Sequence, residues 1–108
     1  MRLNDYQGLA RKTALYPMEQ GLTYTALGLC GESGEVAEKI KKFIRGDEVV
    51  SGSSLKEDLL LELGDVLWYL SNLAFECGYT LQAVAEANIE KLDNRKKNNT
   101  IKGSGDER

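Results

Sequence analysis

The stretch LLLELGDVLWYLSNLAF, residues 59–75, decides the fold. Wound as a helix, Leu59, Leu60, Leu61, Leu63, Val66, Leu67, Trp68, Tyr69, Leu70 and Leu73 place apolar groups on nearly every face, and a helix that is apolar all round is buried all round. A chain of 108 residues has too few other helices to cover every side of it, so a second copy is expected to cover the rest. The only charges in the stretch are Glu62 and Asp65. Spaced i and i+3, they point in one direction from an otherwise greasy rod.

Working outward, Ser54-Leu55-Lys56-Glu57 fits a capping box that opens this helix, and Gly78 is where it should stop. Thr80 then caps a further helix through about Lys97, with Leu81, Val84, Ala85, Asn88 and Leu92 on one stripe. Upstream, Asp47 to Ser53 reads as a loop, and a long helix from about Thr23 to Arg45 closes at Gly46. Lys39, Lys41, Lys42 and Arg45 crowd its last turns, where positive charge suits the helix dipole. A short first helix, about Asn4 to Ala14, must end before Pro17. No β-type alternation competes, and the predicted class is all-α: a four-helix, bundle-like domain over 1–97 and a polar, glycine-containing tail over 98–108.

Composition removes whole classes of activity. The chain has no histidine, which excludes Ser-His-Asp and Cys-His catalysis and imidazole metal sites. Its net charge of -3 argues against general nucleic-acid binding, despite the basic Arg95-Lys96-Lys97. No apolar run reaches the roughly 20 residues of a membrane span, and MRLNDYQGLA lacks the apolar stretch of a signal peptide, so a cytoplasmic protein is expected. Cys30 and Cys77, in no CxxC spacing, are expected to be buried reduced thiols.

What remains is carboxylate chemistry. In GESGEVAEKIKK, residues 31–42, Glu32 and Glu35 repeat the i, i+3 spacing of Glu62 and Asp65. A short connection makes the two helices antiparallel neighbours, so the pairs can face one another and gather four carboxylates about one point. Two such charges about 5 Å apart repel by roughly 3 kcal/mol at an effective dielectric of 20. Either a cation sits among them, or the acids form a solvated face bridged to Lys39, Lys42 or Lys56. All-oxygen ligation suits Mg²⁺, with Mn²⁺ able to substitute, and Mg²⁺ keeps open positions for phosphate oxygens.

Gly-Glu-Ser-Gly-Glu-Val-Ala-Glu, followed by Glu62-Leu63-Gly64-Asp65, resembles the signature of the MazG-like, all-α nucleoside triphosphate pyrophosphohydrolases. The likeness runs from DYQGLARKT to the closing GSGDER, and Gly31 stands where the family signature has its first glutamate. The resemblance implies Mg²⁺-dependent hydrolysis of a nucleoside triphosphate to monophosphate and pyrophosphate. It also implies a homodimer or a homotetramer built as a dimer of dimers, with helices of two chains forming each site. Carried over position by position, Glu32, Glu35, Glu62 and Asp65 are the metal ligands, and Glu35 or Glu38 orients the attacking water. Glu38 is equally an ion-pair candidate for Lys41 or Lys42. Lys39, Lys42, Asn88, Lys91 and Arg95 are the expected phosphate contacts, with Lys102, Asp106 and Arg108 in a tail that can fold over the nucleotide. Gln7 is a candidate to read a base edge, Tyr69 to stack on it, and Trp68 reads as core. A purine deoxynucleotide such as dGTP is the expected substrate. Phosphoribosyl-ATP pyrophosphohydrolase, a dUTPase-like enzyme and a non-catalytic helical oligomerisation module are the alternatives.

Overall fold

The computed structural model describes residues 1–47 and 54–106. Among them are four α-helices, α1 (Leu3–Arg11), α2 (Gly21–Arg45), α3 (Leu55–Glu76) and α4 (Leu81–Lys97), with a single 3₁₀ turn (Met18–Gln20) leading into α2. No strand occurs among the described residues. The expected loop beyond Asp47, and Arg108 in the tail, lie outside them.

Local chemistry sets the helix ends. Ser54 Oγ accepts from Glu57 N at 3.2 Å while Ser54 N donates to the Glu57 carboxylate, and Thr80 Oγ1 accepts from Ala83 N at 3.0 Å. The long helices α2 and α3 finish alike. Gly46 (φ 92°) and Gly78 (φ 83°) turn left-handed, and the residue after each donates back over the last turn, Asp47 N to Lys42 O and Tyr79 N to Ala74 O. Only glycine enters that conformation without a steric cost. Helix α1 is shorter than its periodicity predicts, ending at Arg11 instead of near Ala14, and α2 begins two residues earlier, at Gly21.

Helices α2 and α3 form an antiparallel pair. Gly21 lies against Glu76, Gly28 against Tyr69, and Glu32 meets Glu62 and Asp65, so numbers rise along one helix as they fall along the other. Gly28 is what permits the approach, because a Cβ there would stand 2.0 Å from the Tyr69 ring. Between the pair and α1 sits an aromatic group. Tyr16 stacks on Tyr24 at 5.2 Å, Trp68 sets its edge to Tyr69 at 4.9 Å, and Trp68 Nε1 donates to Thr13 Oγ1 at 2.8 Å. Arg11 lies 3.8 Å from the centre of the Phe75 ring and donates to Asn72 Oδ1 and Tyr16 Oη, which in turn donates to Glu76.

Buried Gln7 fastens α1 to the α3–α4 corner. Its Nε2 donates to Ser71 O (3.3 Å) and Tyr79 O (3.1 Å), and its Oε1 accepts from Leu81 N at 3.1 Å. Every polar atom of this amide is therefore committed within the fold. This displaces the expectation that Gln7 reads a base.

Among the described residues few apolar side chains are buried by the single chain: Ala10, Ala14, Tyr16, Ala74 and Leu81. Leu60, Leu61 and Ile44 are 69%, 72% and 78% exposed. The accessible surface, 8002 Å², exceeds the roughly 6000 Å² of a compact monomer of this mass, and the radius of gyration, 16.8 Å, exceeds the roughly 13 Å expected for this length. Against the expectation of buried thiols, Cys30 and Cys77 are free and exposed in the single chain.

Candidate metal centre

The midpoint of the α2–α3 pair brings three carboxylates together. One oxygen from each of Glu32, Glu62 and Asp65 lies within 4.8 Å of the others. Glu62 and Asp65 share a face of α3 by their spacing, and the antiparallel pairing carries Glu32 of α2 opposite them. Glu32 and Glu62 are half-buried and Asp65 is exposed, so the cluster opens to one side.

The electrostatics of this arrangement are unfavourable without a cation. The Glu32 carboxyl is raised above its ordinary value of 4.5, first by desolvation and then by repulsion from Asp65, Glu62 and Glu35. Lys39 Nζ, 3.8 Å from Glu62, supplies one positive charge to three acids, so the bridged-face alternative is present but only in part.

The predicted fourth ligand, Glu35, is exposed and outside this trio, although near enough for its charge to act on Glu32. Glu38 is drawn away. Lys41 holds it at 2.6 Å, and that hydrogen bond pulls its carboxyl below the usual value. Lys42 is exposed, and its charge helps to keep Glu38 and Asp47 ionised.

The α4 candidates stand elsewhere in this chain. Among the described residues α4 packs on α1 and α3 and makes no contact with α2. Asn88 and Lys91 line a groove of about 620 Å³ beside Tyr79, Ala83, Val84 and Ala87. Lys91 and Arg95 both bind Asp106, at 3.2 Å each.

Of the tyrosines near the cluster, Tyr6 and Tyr24 escaped the sequence reading, and Tyr69 entered it only as a candidate to stack on a base. Tyr6, on α1, has its hydroxyl raised by burial and then by the charge of Asp65. Tyr69 is raised by burial and then by Tyr24, Glu32 and Asp65, which brings Tyr24 to the edge of the site as well. No periodicity links α1 to the acidic helices, so nothing in the sequence marks Tyr6. Trp68 lies half-buried in the aromatic group, in keeping with its reading as core.

The trio fits a hard divalent cation. Oxygen ligands about 2.1 Å from Mg²⁺ stand about 3.0 Å apart in cis and about 4.2 Å apart in trans, so oxygens within 4.8 Å of one another need close by at most roughly 0.6–1.8 Å, a movement that carboxylate rotamers supply. The donor set is all oxygen, which suits a hard cation.

The profile of the MazG nucleotide pyrophosphohydrolase domain matches residues 20–100, which span the acidic pair of helices and α4. The "Gene 37 protein" of Mycobacterium phage L5 is 41% identical over 114 aligned residues, covering all of both chains. No solved structure matches.

Proposed function

The chain belongs to the MazG nucleotide pyrophosphohydrolase family, and from that premise we propose that it hydrolyses a nucleoside triphosphate to the monophosphate and pyrophosphate with Mg²⁺. The observation that carries the reading is the convergence of Glu32, Glu62 and Asp65 from two helices onto one point. Mn²⁺ is expected to substitute, as the donors are all oxygen. A purine deoxynucleotide such as dGTP is the substrate to try first. A cytoplasmic location is proposed along with that substrate class.

When bound, the cation supplies charge that draws the phosphate oxygens and offsets the charge of the transition state. The chain's own residues do the rest. Glu32, Glu62 and Asp65 would hold the cation. Glu35, beside the trio and outside it, takes the proton of the attacking water; the water oxygen bonds to phosphorus, the anhydride P–O bond breaks, and pyrophosphate leaves. Glu38, bound to Lys41 with a lowered pKa, is the weaker base of the two. Lys39, at the rim beside Glu62, and Lys42 are proposed to meet the phosphates.

Asn88, Lys91 and Arg95 are proposed to reach the phosphates of a site shared between two chains, since α4 makes no contact with α2 in one chain. The exposed Leu60 and Leu61 support a homodimer or dimer of dimers.

The test is product identification with each common NTP and dNTP in Mg²⁺, beside EDTA and Glu62→Gln. Monophosphate and pyrophosphate in equal amounts, lost in both controls while helix content is kept, is the expected result. Turnover of dUTP alone, or of phosphoribosyl-ATP alone, would move the chain to the corresponding relative. Turnover that survives Glu62→Gln would refute the site, and no turnover of any of these would favour a non-catalytic helical module.

A further inference from the structure

The C-terminal segment is organised about one buried side chain. Arg95 is only 6% exposed, an unusual place for a guanidinium, and its Nε has no hydrogen-bond partner. The chain reverses just beyond it. Asn99 takes a left-handed turn (φ 55°), and Thr100 N donates to Arg95 O at 2.7 Å. Gly103 (φ 132°) and Gly105 (φ 85°) then bend the segment back over α4. Arg95 Nη2 donates to Gly105 O at 3.3 Å and to Asp106 Oδ1 at 3.2 Å, and Lys91 Nζ lies 3.2 Å from the same oxygen.

These contacts describe an anion site with a resident anion. One carboxylate oxygen is shared by an ammonium and a guanidinium, and the Asp106 carboxyl is lowered by Lys91 and then by Arg95. The two sides of the contact differ in burial. The Asp106 side chain is 85% exposed and that of Arg95 is 7% exposed. Asp106 can therefore pass into water readily, whereas the buried guanidinium it leaves behind needs another anion in its place. Arg95 cannot leave: it is anchored in the fold, with an unused donor.

We propose that Lys91 and Arg95 form a phosphate-binding site that Asp106 occupies as an internal counter-anion, so that a phosphate must displace the 103–106 strap in order to bind. The proposal rests on the reading of Lys91 and Arg95 as phosphate contacts, but it requires neither the metal nor turnover. A phosphate group brings more charge than one carboxylate and more oxygens, enough to take the donor that Asp106 leaves unused. The strap then acts as a threshold, excluding weak carboxylate anions and yielding to phosphates.

Pyrophosphate and inorganic phosphate serve as probes, titrated calorimetrically into the full chain in EDTA. Asp106→Asn keeps the shape of the strap and removes its charge, and it should tighten pyrophosphate binding by about three- to tenfold. Lys91→Gln, at a half-buried position that leaves Arg95 in place, should weaken binding several-fold. Amide resonances of Gly103 and Gly105 should shift towards random-coil positions as pyrophosphate saturates the wild type. Binding that is unchanged or weakened by Asp106→Asn would overturn the latch and make Asp106 a positioning residue. Binding unaffected by Lys91→Gln would overturn the site itself. Because the metal is absent, nucleotide hydrolysis measured separately tells the two failures apart. Loss of the latch with hydrolysis intact leaves the proposed function standing, and tightening without any hydrolysis leaves the anion site standing alone.

Discussion

Replacing Glu32 by Gln should make the metal-free protein more stable and the metal-bound protein less so. Unit charges 4.8 Å apart, the outer limit of separation within the trio, repel by about 0.9 kcal/mol in water-like surroundings and about 3.5 kcal/mol at an effective dielectric of 20. Glu32 faces two such neighbours, Glu62 and Asp65, but the cluster opens to solvent, which holds the relief to the lower part of that range, about 1–2 kcal/mol. For a domain of this size that raises the melting temperature by roughly 4–8 °C. The assay is a thermal melt in EDTA at fixed protein concentration, repeated with Mn²⁺ and Mg²⁺. The wild type should gain about 2.7 kcal/mol when metal stands at a hundred times its dissociation constant, and the variant less than half of that.

The pH dependence carries its own sign. A raised Glu32 carboxyl means that the folded chain binds the proton more tightly than the unfolded chain. This contribution to stability is fully present below the ordinary value of 4.5 and is lost as pH rises through the higher folded value. The advantage of Glu32→Gln in EDTA should therefore shrink on acidification through that window, and metal binding should weaken over the same range as protons compete for the ligand. A destabilised variant in EDTA, or one that keeps the full metal response, would refute the account of the cluster.

Two further outcomes follow from the packing. Gln7→Ala leaves Leu81 N, Ser71 O and Tyr79 O without their side-chain partner at a buried corner, and it should cost about 2–3 kcal/mol in chemical denaturation with any metal response unchanged. A cost under about 0.5 kcal/mol, the scale of a surface substitution, would show the corner to be water-accessible. Sedimentation equilibrium should find a dimer or tetramer, and Leu61→Lys, at a position 72% exposed in the single chain, should shift it towards monomer; an unshifted distribution would remove Leu61 from the contact between copies.

Sequence by itself determined what depends on neighbours along the chain. The capping at Ser54 and Thr80 and the glycine stops at Gly46 and Gly78 are contacts within a few residues, and the structure shows all four. The i, i+3 spacing of Glu62 and Asp65 likewise fixes their common face, whatever packs against it. Tertiary structure decided what depends on how one helix slides along another. That offset, with Tyr69 seated over Gly28, puts Glu32 in the trio and leaves Glu35 outside it, and it brings Tyr6 of α1 within the field of Asp65. Gln7 looked free to read a base until the fold placed three backbone groups around its amide. The thiols looked buried because a helical pattern records an apolar face without recording whether anything covers it. The hold of Asp106 on Lys91 and Arg95 spans a chain reversal, set by φ values that no periodicity encodes. Spacing along a helix is fixed by its pitch, whereas the meeting of two helices is fixed by the side chains that happen to lie between them.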